Sequence, residues 1–209
     1  MMESSEMSKI IPNGLLNRLR NIGVGAFILM LATPALAHPG HGPASGLTAG
    51  LLHPLTGLDH LLAMLMVGLW SGFAFPRKAW LCPAAFVLFM LAGFAFGASG
   101  GQLPIAEMLV TASLVILGLA LTFEARAPIT VALPLIGLFA IGHGFAHGNE
   151  MAAGENGATF AAGFVATTVA LHLAGIGLSR FVLRYRARRV AQAAGLVTMV
   201  SAAAMAWSS

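Results

Sequence analysis

The 209-residue chain is short of charge: Asp, Glu, Lys and Arg together make up 9% of it, against 58% hydrophobic residues and a mean hydropathy of +0.86. A soluble domain of this length carries about a quarter charged residues. This chain cannot clothe a water-facing surface, so it reads as an integral membrane protein. Cysteine is almost missing as well. Cys82 stands alone, which excludes an intrachain disulfide and a thiolate cluster for soft metals. No phosphate-cradling loop occurs and there is no long soluble segment, so ATP coupling within this chain is excluded. The net charge of +4 does not point to nucleic acid, because the basic residues lie in short segments between apolar runs. What the chain does have is seven histidines.

The N-terminus has the make-up of a targeting segment. Lys9, Arg18 and Arg20 precede the apolar run "IGVGAFILMLA", which ends in "TPALA". Ala35 and Ala37 supply the small residues of an A-x-A cleavage site, which predicts a signal peptide over 1–37 and a mature chain of 38–209. The run is short for a spanning helix. The mature end would read "HPGHG", with His38 and His41 on it, either scavenging metal or without a role.

Six further apolar segments follow, near 51–75, 79–97, 104–123, 128–147, 158–182 and 190–207. Each approaches the ~20 residues that cross a hydrocarbon core. The fold class expected is therefore all-α: a polytopic membrane helical bundle of six transmembrane helices after a cleavable signal peptide. Pro76, Pro104 and Pro128 mark boundaries, while Pro134 lies inside the fourth segment and should kink or loosen it. Gly93 and Gly97 give one small-xxx-small face of the kind that lets helices approach closely in lipid.

The loops orient the bundle. Arg77 and Lys78 follow the first segment, Arg126 the third, and Arg180, Arg184, Arg186, Arg188 and Arg189 the fifth. The alternate loops hold no Lys or Arg, only Glu107, Glu150 and Glu155 near their ends. Basic loops stay cytoplasmic, so both mature termini are expected in the periplasm of a bacterium, with the chain in its inner membrane.

Ionisable residues then appear where lipid makes them costly. The first segment, "LLHPLTGLDHLLAMLMVGLW", carries His53, Asp59 and His60. Read as one helix, it sets His53 and His60 on a shared face ~10 Å apart, with Asp59 about 100° round from His60. An intramembrane Asp costs ~2.5–3.5 kcal/mol on insertion scales, so a purely structural Asp–His bond is an expensive choice beside Ser, Thr or Asn. The fourth segment ends "FAIGHGFAHGNEMA", with His143 and His147 four apart on one face and Glu150 after them in the loop. That spacing is the one by which helices chelate transition metals. Glu107, in the first turn of its helix, either complements the helix dipole or takes part in the site. His172, in mid-helix, is expected to be a satisfied core histidine. Imidazole and carboxylate without thiolate suit Ni²⁺, Co²⁺ or Zn²⁺.

These two stretches, after the segment ending "ALAHPGHG", resemble the HupE/UreJ family of small bacterial membrane proteins. The resemblance implies a nickel permease associated with hydrogenase or urease maturation. It assigns His53, Asp59 and His60, then His143, His147 and Glu150, to the metal site, and places Glu107 as the family's acidic residue on the third helix. The expected activity is secondary transport of Ni²⁺, with Co²⁺ as the alternative cargo, and no tightly bound cofactor. Its partners are the ion and the bilayer, not nucleic acid; a homo-oligomer is compatible with the sequence. The competing reading is an intramembrane zinc hydrolase, with His60, His143 and His147 as ligands and Asp59 or Glu150 activating water. A bis-histidine haem protein is a third.

Overall fold

The computed structural model describes residues 46–151, 154 and 156–208. The expected signal segment, His38, His41 and Glu155 lie outside the described residues. The described chain is all-helical: α1 (Leu47–Thr56), α2 (Leu58–Ala74), α3 (Leu81–Ala98), α4 (Ala106–Thr122), α5 (Ile129–Glu150), α6 (Gly157–Arg184) and α7 (Arg188–Ser208).

These helices carry large apolar residues outward as well as into the core. Leu88, Phe123, Leu173 and Val200 are exposed, while His143, His147, His172, Ser113, Thr168 and Ser179 are buried. In water that arrangement would leave large apolar surface wetted and polar groups desolvated; in lipid it is the favoured one. Four helices are long and apolar enough to cross a membrane: α3, α5, α6 and α7 up to Trp207. The pair α1 and α2 forms a fifth candidate if it is one broken span, and α4 is a shorter apolar helix of 17 residues.

The first segment is not the single helix its composition suggests. It breaks at Gly57, and the axes of α1 and α2 diverge by 85°. Gly57 is extended at φ −95°, ψ 118°, closing one helix and opening the next. Pro54, three residues earlier, lacks the N–H that would tie the last turn of α1 back. Pro134, by contrast, leaves α5 one helix over its 22 residues, since its missing bond falls near the helix start. That helix also runs further than its hydropathy indicates and takes in Glu150.

Close backbone contact holds the bundle. Gly93 and Gly97 on α3 face α5, and Gly144 and Gly148 on α5 face α3; a Cβ on Gly144 would strike the carbonyl of Met90, and one on Gly148 that of Phe94. The expected small-residue face is therefore half of a two-sided seam. The α1–α2 pair packs along α6 in the same manner, with Gly50 against Phe160, Gly68 against His172 and Gly175 against Leu65.

One end of the bundle gathers the basic segments. Arg188 meets Glu124 at 2.8 Å, and Trp70 Nε1 donates to the Ala125 carbonyl at 3.0 Å. These contacts join the ends of α2 and α4 to the start of α7. The histidine-rich residues lie at the other end.

Candidate metal centre

The break at Gly57 builds the first half of the site. The amide groups that open α2 have no partner within the helix, and Asp59 in that first turn answers one of them. Its Oδ1 accepts the backbone N–H of His60 at 2.8 Å and lies 2.8 Å from His60 Nδ1. A carboxylate oxygen only accepts, so Nδ1 carries a ring proton, and Nε2 is the atom with which a neutral His60 ring would bind an ion. Among the described residues Nε2 has no hydrogen-bond partner. Gly57 leaves room for this pair: a Cβ there would come within 2.8 Å of Asp59 Oδ1 and 3.2 Å of His60 Nδ1.

The second half comes from α5. His143, His147 and Glu150 fall at i, i+4 and i+7, so all three share one face, and both histidines are buried. Ser113 on α4 fixes one of them. Its hydroxyl donates to the Val110 carbonyl at 2.6 Å and lies 3.0 Å from His143 Nε2. A hydroxyl has one proton to give, so Nε2 must donate to Ser113 and the unpartnered Nδ1 of His143 is the free ligand atom. His147 has neither ring nitrogen satisfied among the described residues.

The two halves interdigitate. His147 lies between His53 and His60, with ring centroids 4.5 Å and 4.2 Å away, and His60 lies 4.9 Å from His143. The imidazoles thus form a ladder, His53–His147–His60–His143, from the bundle's edge to its interior. At the edge, His53 Nε2 is 3.3 Å from Glu150 Oε2. One ligand atom from each of His53, His147 and Glu150 lies within 4.8 Å of the others, a separation a single ion can span after small side-chain shifts. Phe164 packs edge-on against His147 at 4.2 Å, and Phe160 against His53 at 5.4 Å.

Six of the seven residues expected in the site are therefore brought together, though not as a straight first helix would do it. His53 and His60 do not share a helical face; the 85° break separates them, and His147 bridges the gap. Asp59 touches the His60 ring directly, the arrangement by which a carboxylate orients a metal-binding imidazole. Glu107 is apart. It stands exposed in the first turn of α4, while its neighbour Ala106 packs inward against Gly142. His172 is buried as expected, but it is not satisfied: neither ring nitrogen has a partner among the described residues. Ser113 was not identifiable from the sequence, where a serine in an apolar helix looks like any small packing residue.

The profile of the HupE / UreJ protein family matches residues 26–205 of this chain. A curated relative, protein HupE of Rhizobium leguminosarum bv. viciae, is 39% identical over 176 residues, which cover 84% of this chain and 92% of the relative. No solved structure matches this chain. With both signature stretches converging on one imidazole ladder and a family match over most of its length, the chain belongs to the HupE/UreJ family.

Proposed function

We propose that this protein is a secondary transporter that takes a divalent transition metal, Ni²⁺ before Co²⁺, from the periplasm to the cytoplasm for maturation of a metalloenzyme, hydrogenase or urease. The observation that carries the reading is the ladder itself. Buried ring nitrogens on His60, His143 and His147 lack partners, and they continue inward from a mouth formed by His53 and Glu150. Glu150 offers charge to a hydrated cation, and the imidazoles then replace its water. Neutral nitrogen and carboxylate oxygen suit a borderline metal. Ligands spread over several rungs hold an ion without trapping it, as conduction requires.

In this reading residues 1–37 are a signal peptide, α1 with α2 make one broken span, α4 makes another, and 38–209 form a six-span domain of the bacterial inner membrane. The basic end faces the cytoplasm and both mature termini face the periplasm. Broken helices lining a polar site are a recurring device of secondary transporters. The Asp59 carboxylate is engaged by the ring and backbone of His60, which favours an orienting role over that of a hydrolase's water-activating base. The rings of the ladder touch one another, leaving no slot for a porphyrin.

The test is uptake of Ni²⁺, Co²⁺ and Zn²⁺ by a strain lacking other importers, repeated with purified protein in liposomes. Saturable entry of Ni²⁺ is expected in both. Inserted protein that moves none of the three would sink the proposal.

A further inference from the structure

Among the described residues, His172 is the buried histidine that the ladder leaves unused. It is 1% exposed in the middle of α6, and neither nitrogen has a partner among the described residues. A buried polar group left without a partner is destabilising, so a native protein that keeps one usually supplies a water or an ion.

The surroundings narrow the choice. Thr168 lies one turn before His172 on the same face of α6, the side toward which helical side chains lean. The fully buried Thr168 hydroxyl is 3.2 Å from Sδ of Met64 on α2 and 3.9 Å from Sδ of Met90 on α3. Two thioethers from different helices thus converge on one point inside the bundle. Met64 is one turn beyond His60 on α2. The Phe86 ring lies against both His143, at 5.5 Å, and His172, at 5.1 Å, linking this group to the last rung of the ladder.

We propose that His172, Met64 and Met90, with the Thr168 hydroxyl between them, form a second, inner binding station for a divalent transition-metal ion. The proposal rests on the reading of the outer ladder as the uptake site. It adds a distinct chemistry: imidazole and thioether with no carboxylate. Such a set accepts Ni²⁺, Co²⁺ or a copper ion and discriminates against Mg²⁺ and Ca²⁺, which require oxygen ligands. Neutral ligands also bind a dication less firmly than the mouth does, which suits a station the ion must leave.

The experiment uses the full chain, purified in detergent and titrated with Ni²⁺, with equilibrium dialysis counting bound ions and X-ray absorption reporting sulfur in the coordination shell. The wild type is expected to bind one ion at the ladder and one at the inner station, part of the nickel showing sulfur neighbours. His172→Ala should lose one ion. The paired change Met64→Leu with Met90→Leu keeps volume nearly constant, so folding survives, and it should abolish the sulfur signal. His147→Ala should lose the other ion and retain the sulfur. A wild type without sulfur around nickel, or a Met64→Leu/Met90→Leu protein that binds as many ions as the wild type, overturns the inner station. If His147→Ala still lowers the count in that case, the outer reading stands; if His147→Ala changes nothing, the outer reading fails on its own.

Discussion

Asp59 holds His60 through one oxygen used twice: Oδ1 lies 2.8 Å from the ring Nδ1 and accepts the backbone N–H of the same residue at 2.8 Å. Sequence neighbours in a continuous helix would point their side chains about 100° apart. The pair forms because Gly57 lets α2 begin just before it, so that His60's amide belongs to the unpaired first turn. Asp59→Asn keeps the shape but offers no charge to stabilise a metal-bound imidazole. Metal uptake should fall by about 10- to 100-fold, the usual cost of losing such a partner. Immunoblots of membranes should show the variant at the wild-type level; uptake within twofold of wild type would assign the pair to packing alone.

Ser113 makes a parallel case on the other side of the ladder. Since its one proton goes to Val110, it can only accept from His143 Nε2, and so it leaves Nδ1 free for an ion. Ser113→Ala releases the ring to either tautomer and should weaken Ni²⁺ binding by roughly 10-fold, about 1.4 kcal/mol. Ser113→Thr restores the hydroxyl and should recover most of the loss. Isothermal titration of the purified variants reads the difference; equal affinity for Ala and Thr would show that the hydroxyl does not set the ring.

Gly57 separates backbone from contact. Its φ of −95° suits any L residue, so alanine there carries no conformational penalty. The new methyl would instead reach Asp59 Oδ1 and His60 Nδ1. Gly57→Ala should therefore insert and fold normally while uptake drops by about 10-fold, because the orienting pair is displaced. Thermal unfolding in detergent should match wild type. Loss of stability with uptake retained would mean the glycine serves the break rather than the site.

The helices were legible from composition: six apolar runs correspond to the described helices to within a few residues, once α1 and α2 are counted together. The i, i+4 spacing of His143 and His147 was equally readable, since both lie on one unbroken helix. The break was not. An isolated glycine is common in membrane helices, and nothing in "HPLTGLDH" separates a tolerated Gly57 from one that ends a helix. His172 was misjudged for another reason: periodicity shows which face a residue occupies but not what lies opposite, and the ring packed against it is that of Phe86, while neither of its nitrogens finds a hydrogen-bond partner among the described residues. Glu150, expected in the loop after the fourth segment, instead ends α5 on the face of His143 and His147, whereas Glu107 does stand in the first turn of its helix, exposed.

The topology offers a prediction that does not involve metal. A reporter that functions only outside the cytoplasm should be active when fused after Ser209, and one that functions only inside should be silent. Mass spectrometry of the membrane-inserted protein should find His38 as its first residue. Strong cytoplasmic reporter activity at Ser209 would refute six spans, and retention of 1–37 would add a seventh.

The two glutamates complete the test of the site. Glu150 closes the face that carries His143 and His147, and its Oε2 lies 3.3 Å from His53 Nε2 at the open edge of the ladder. Its side chain remains 58% exposed, so it can meet a hydrated cation before any imidazole does. A carboxylate at such a mouth raises the local cation concentration and lowers the energy of the first contact. Glu150→Gln should therefore act on capture: the Ni²⁺ concentration for half-maximal uptake should rise about 10-fold, the scale of one lost charge-assisted contact of ~1.4 kcal/mol, with maximal rate little changed. The effect should shrink as ionic strength rises, because the attraction acts through water. Glu107 is exposed in a first helical turn and lies outside the cluster, so Glu107→Gln should leave both parameters near wild type and cost at most about 1 kcal/mol of helix stability. Initial-rate uptake measured across Ni²⁺ concentrations for the two variants decides the matter. A Glu107→Gln defect as large as that of Glu150→Gln would show that α4 carries an entry ligand and that the mouth is wider than His53 and Glu150 make it.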